Sequence, residues 1–344
     1  MPPHDTLAER PAAGPGLAPT DLGLGAPENS GGPGYYDVPM LKPPVWGGSI
    51  SWYFFLGGLS AGAYVVGRAA ERFGGPRFRP VATAGTCVAA AAVLPCAPLL
   101  IADLGDPKRF HHMLRVFKPG SPMNLGAWVL TAYHGAGAAA LLREYLRWGR
   151  AGESPAARGL EAQAADGFLV AAADFAGVPL ALLLASYTGV LLTGASTPVW
   201  SRNPWLPALF SAGAASAGSA AVSLALEALA AAGHGAAADA AREPLRLVHT
   251  AAHLAEVVTL VGYLSAAGRH ARPLTAGPLT PALARVAAGV VGSEVLQLLP
   301  ARGRARQWTG LAAAALSLYA GIALRSAVVR AGAASANDPR TKSG

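Results

Sequence analysis

The segment "HTAAHLAEVVTL" (249–260) places His249, His253 and Glu256 at i, i+4 and i+7, on one face of one helix. Imidazole and carboxyl groups exchange protons near neutral pH when their surroundings tune them. Inside an apolar helix they are expensive enough to be functional candidates by default. Two readings of the stripe stand: part of a proton path, or a polar packing seam whose members reach toward an interface. His134 in "TAYHGAG" lies roughly 18 Å along a helix from Pro122, near mid-depth of a bilayer. Asp174, next to Phe175 and ahead of Pro179, interrupts another apolar run. Both join the proton-path candidates. Glu227, Arg285 and Glu294 interrupt later runs, and Arg285 and Glu294 point in different directions, so each needs its own partner.

Metal and haem chemistry find little support. Cys87 and Cys96 share one apolar segment on opposite faces, whereas an iron–sulfur cluster takes four protein ligands and a structural zinc site several. They read as packing residues. Bis-histidine haem ligation needs imidazoles on opposite sides of the iron, which His249 and His253 on one helix face cannot supply. His134 with either of them would need matching depth. The expectation is a chain with no metal site, no haem and no iron–sulfur cluster. Phosphate-binding loops, the H-E-x-x-H pattern and the G-x-S-x-G elbow are missing from any supporting context, which leaves soluble hydrolase and transferase chemistry without a basis.

The elements that must position these groups follow from composition. Of 344 residues 52% are hydrophobic and 13% charged, about half the charged share of a soluble domain. Small residues dominate, as close helix packing in lipid requires. The net charge of +8 sits in short segments between apolar runs and forms no basic helix, so it reads as topology and headgroup contact, with no nucleic-acid partner.

Residues 1–45 lack apolar periodicity and read as a disordered or extended tail. Eight segments of spanning length follow within 46–330: 48–68, 81–102, 122–142, 168–192, 205–231, 245–267, 280–299 and 308–330. The fold class is therefore all-α, a polytopic membrane bundle of eight helices in two four-helix halves, with 331–344 as a C-terminal tail. Pro95 and Pro98 should kink the second segment, and Pro122 opens the third. Basic residues divide almost evenly between the two sides. The four-arginine clusters after the first and third segments (Arg68, Arg72, Arg77, Arg79; Arg143, Arg147, Arg150, Arg158) mildly favour both termini outside.

Three segments carry a resemblance. "YYDVPMLKPPVW" leads into "SWYFFLGGLSAG"; "DLGDPKRFHHMLRVFKPGSPMNLGAW" (103–128) and "ASYTGVLLTGASTPVWSRNPWLPALFSAG" (185–213) follow. Together they resemble the NrfD/PsrC family, the membrane anchors of polysulfide reductase, nitrite reductase and formate dehydrogenase-like molybdenum enzymes. The resemblance implies a multi-pass subunit of a bacterial plasma membrane that is not catalytic alone. It would exchange electrons between quinone, menaquinone or ubiquinone, and a ferredoxin-like iron–sulfur subunit beside a molybdopterin-type catalytic subunit. Carried onto this chain, it makes Tyr53 and Tyr187 hydrogen-bond donors to a quinone carbonyl, with Gly57 and Gly58 leaving room for the ring. Asp103, Lys108 and Arg109 become the docking surface for the iron–sulfur partner. The chain departs from the polysulfide-reductase pattern in its first helix, where Ile50 and Tyr53 stand in place of an Asn and a His. A secondary transporter and a haem-b cytochrome subunit remain the alternatives. A transporter would need matched broken helices in the two halves, and the sequence shows no partner for the break at Pro95 and Pro98.

Overall fold

The computed structural model describes residues 44, 46–104, 106–149, 167–168, 171, 173–231 and 235–337. The expected tail 1–45 lies outside these residues apart from Pro44. So do Arg150 and Arg158, and the side chain of Asp174.

The described residues form helices and no strands, as backbone in lipid must close its hydrogen bonds within the segment. They are α1 (Gly48–Phe73), α2 (Arg79–Val93), α3 (Cys96–Ala102), α4 (His112–Arg115), α5 (Pro122–Gly149), α6 (Val178–Thr193), α7 (Trp205–Ala231), α8 (Gly235–Ala267), α9 (Arg272–Thr275), α10 (Thr280–Leu298) and α11 (Gly303–Asn337). A π-helical turn, Ala173–Gly177, leads into α6. The break between α2 and α3 falls at Leu94 and Pro95, where Pro95 and Pro98 withhold two backbone donors.

Among the described residues, seven helices are long and apolar enough to cross a membrane, α2 and α3 forming one of them. The segment expected at 280–299 is a helix, α10, but with Arg285 and Glu294 it falls outside that set. Other boundaries differ from the hydropathy reading. The expected tail 331–344 is helical as far as Asn337, with Ala331, Ser335 and Ala336 buried. α5 runs seven residues beyond the expected 142, and α8 starts at Gly235 instead of 245, so Pro244 lies inside a continuous helix.

α1 and α7 are largely enclosed by other helices, while α8 presents most of its surface outward. α1 packs on α2, α6, α7 and α11, so it joins both sequence halves. Glycine permits the closest approach: a Cβ on Gly62 or Gly218 would strike the facing backbone of α7 or α1, respectively. Trp200, in the α6–α7 connection, donates from Nε1 to Val328 O on α11 at 2.9 Å, and Trp46 stacks on it. The start of α1, the α6–α7 connection and the last turns of α11 thus share one end of the bundle, called here the tryptophan end. At the other end, Gln307 on α11 donates to Glu227 O on α7. The 27 residues of α7 separate the two ends by about 40 Å.

Candidate functional site

An apolar cavity of about 230 Å³ opens at the tryptophan end. Its walls follow helical spacing. Ile50, Tyr53 and Phe54 come from successive turns of α1, Met123, Gly126 and Ala127 from α5, and Tyr187 and Leu191 from α6. Asp103 and Leu104, just past α3, with Met113 on α4, close it from the connecting segment. Asp103 accepts a hydrogen bond from Ser49 Oγ at 3.1 Å. The phenol of Tyr53 is 2% exposed, and among the described residues neither Tyr53 nor Tyr187 has a hydrogen-bond partner for its hydroxyl. Both tyrosines line the cavity, so the acceptor for each hydroxyl is left to whatever occupies it, a ligand or water.

The resemblance places a quinone against Tyr53, Gly57, Gly58 and Tyr187. The structure brings the two tyrosines to this cavity, and neither glycine lines it. Gly57 faces Cys96 and Leu184, and Gly58 faces Ala214 and the Arg325 guanidinium. The glycine that makes room is Gly126, where a Cβ would occupy the ring of Tyr187. Of the proposed docking residues, Asp103 faces the cavity. Lys108 and Arg109 stand outside it, exposed on the turn Pro107–Arg109, with Arg109 paired to Asp106 at 3.0 Å. His134 is elsewhere. Its Nδ1 lies 2.8 Å from Leu130 O and its Nε2 3.1 Å from Val93 O, a carbonyl exposed by the break between α2 and α3.

A second polar group fills the interior of the C-terminal half. His249 sits between Ser219 Oγ (3.1 Å from Nδ1) and Ser293 Oγ (3.3 Å from Nε2). His253 sits between Glu294 Oε1 (2.7 Å from Nδ1) and Ser317 Oγ (3.1 Å from Nε2). Thr250 donates to the other oxygen of Glu294 at 2.8 Å. Glu256 accepts from Ser216 at 2.9 Å and lies 3.7 Å from Arg325, whose guanidinium also donates to Phe210 O at 3.1 Å and rests over the Phe210 ring. His249, His253, Glu256 and Arg325 are all buried. The i, i+4, i+7 stripe is therefore turned inward, and its partners come from α7, α10 and α11. Glu294 has found His253, while Arg285 folds back on Pro281 O.

This network meets a polar cavity of about 280 Å³ at the far end of the bundle. His249 reaches that cavity, along with Gln297 and the ion pair of Glu227 with Arg242 (2.5 Å). Inward of His249, Ser219 donates to Ser216 O at 3.0 Å, and Ser216 bonds Glu256. The polar chain thus leads from the far cavity past mid-depth to Arg325 and Phe210, and Phe210 packs on Phe54 of the tryptophan-end cavity at 5.9 Å between rings.

Sequence reasoning missed two groups. Arg325, within the segment expected at 308–330 and given no role there, is among the most buried large side chains. Arg68 and Arg143, taken as topology markers between spans, are buried inside α1 and α5 and bound to Glu71, with Arg143 also 3.6 Å from Glu144. The i+3 spacing of Arg68 and Glu71 was the available signal.

The family model described as "Polysulphide reductase, NrfD" matches residues 38–336. No curated protein matches the chain.

Proposed function

From the premise that this chain belongs to the NrfD family, membrane subunits of oxidoreductase complexes, we propose that it is the quinone-reactive subunit of its complex. One observation carries the reading: two phenols without a partner among the described residues, and a carboxyl group, converge on one apolar cavity. A quinone head presents flat apolar faces and two carbonyl acceptors, which matches that lining. The cavity is smaller than the roughly 300 Å³ at which drug-sized sites begin, so it takes the ring and leaves an isoprenoid tail among the helices or in lipid.

The chemistry of electron transfer belongs to the quinone. The protein's part is to bind, orient and exchange protons. Tyr53 and Tyr187 donate hydrogen bonds to the carbonyls, and Asp103, linked to Ser49 and beside the exposed connection 106–121, is placed to exchange protons with the surroundings of that end. Lys108, Arg109 and the exposed Phe110 and Phe117 give the same connection a basic and aromatic surface for an iron–sulfur partner. Electrons from a cluster docked there would enter the quinone at short range. The buried residues His249, His253 and Glu256 are the candidates for a proton route from the far cavity, with Ser219 beside His249 and Ser216 donating to Glu256.

The test is binding of a soluble menaquinone analogue to protein in nanodiscs, with an absorption spectrum of the same sample. Saturable binding weakened by Tyr53→Phe and Tyr187→Phe, and no Soret band, supports the assignment. Unchanged binding in both variants removes it.

A further inference from the structure

We propose that His249, His253 and Glu294 form a binding site for one divalent transition metal ion of the zinc type. One donor atom from each residue lies within 4.8 Å of the others. The two histidines stand four apart on α8, the spacing at which a single helix offers two imidazoles to one ion, and Glu294 comes from α10 across the gap. Two imidazoles and a carboxylate form a recurrent zinc donor set that leaves a fourth position open.

The orientation of the rings favours the site. Each histidine has one nitrogen held by a serine on a neighbouring helix, His249 Nδ1 by Ser219 and His253 Nε2 by Ser317. Such hydrogen bonds fix ring orientation in metal sites. The remaining nitrogens, His249 Nε2 and His253 Nδ1, turn toward Ser293 and Glu294, which are adjacent on α10. The space they share is where the ion sits, with Ser293 Oγ or water at the fourth position. Tetrahedral zinc wants donors roughly 3.3 Å apart, so the three side chains close inward by about an ångström on binding. Thr250 already holds the second oxygen of Glu294. Entry is through the far cavity, which His249 lines. This site stands apart from the quinone cavity and does not rest on that assignment, but an ion there occupies the nitrogens of His249 and His253, so the metal-bound protein does not pass protons through them.

The experiment uses tag-free full-length protein in nanodiscs carrying His111→Gln and His112→Gln, because these adjacent exposed histidines would bind metal on their own. Co2+ is titrated and followed by its visible ligand-field absorption, then displaced with Zn2+ under calorimetry. The expected result is one ion per chain, with an intense tetrahedral-type band. The band should be lost in His253→Gln and Glu294→Gln, Ser219→Ala should bind about tenfold more weakly, and Cys87→Ser, at a free thiol outside the group, should bind normally. Helical circular dichroism and size-exclusion elution confirm that each variant is folded. No saturable uptake at one ion per chain in the starting protein overturns the proposal. So does a band that survives intact in folded Glu294→Gln.

Discussion

Replacing Gly126 by alanine places a methyl group where the Tyr187 ring now lies against α5. Tyr187 lines the cavity, so the space into which its ring can move is the space of the ligand. Overpacking of this kind costs about 1–3 kcal/mol, less about 1 kcal/mol regained from the better helix propensity of alanine. The net thermal effect is therefore small, and the main consequence is displacement of the phenol from the cavity. Losing one neutral hydrogen bond to ligand, about 0.5–1.5 kcal/mol, weakens quinone-analogue binding roughly 2- to 12-fold, and a ring pushed into the cavity weakens it further. Gly57→Ala is the control. Its methyl would meet Cys96 Sγ at 3.9 Å and Leu184 Cδ1 at 4.0 Å, ordinary contacts. Fluorescence titration of both variants in nanodiscs should show weakened binding for Gly126→Ala and wild-type binding for Gly57→Ala. The reverse pattern would refute the placement of the ring between α5 and α6 and move it against α1.

Three further outcomes follow from the packing. Glu256→Ala strands the buried Arg325 charge and should destabilise the protein by about 3–5 kcal/mol, while adding Arg325→Met should recover much of the loss in thermal unfolding. Trp200→Phe removes the Nε1–H bond to Val328 O, which keeps its bond within α11, and leaves a void at a fully buried site, a loss of about 1–3 kcal/mol seen as a lower unfolding midpoint. Lys108→Glu with Arg109→Glu should weaken co-purification of the partner subunit at low salt while leaving quinone-analogue binding unchanged, because both side chains lie outside the cavity.

The helical plan was legible because apolar runs, Pro122 and the Pro95 and Pro98 pair mark boundaries by simple physics. The ends of α5, α8 and α11 were not, since hydropathy treats every charge as exposed. Here Arg143 and Glu71 neutralise one another inside the bundle, and the last turns of α11 are covered by their neighbours. The histidine stripe was visible in its spacing, but its pairing with Glu294 and the burial of Arg325 depend on contacts between segments distant in sequence. Tyr53 and Tyr187 came from the resemblance. Gly126, Met123 and Trp46 could not, because the cavity is assembled from four separate stretches with no common period. Pro244 inside α8 is a second interruption that the sequence reading placed outside any helix, so the contrast drawn between the halves is weaker than the sequence suggests.

The most direct test of the central claim is the affinity of a menaquinone analogue for the Tyr53→Phe/Tyr187→Phe double variant in nanodiscs. Neither hydroxyl bonds to a described residue, so the variant should unfold at the wild-type temperature. It should also bind roughly 5- to 150-fold more weakly, as the loss of two independent hydrogen bonds predicts. Wild-type affinity in a folded double variant would contradict the account.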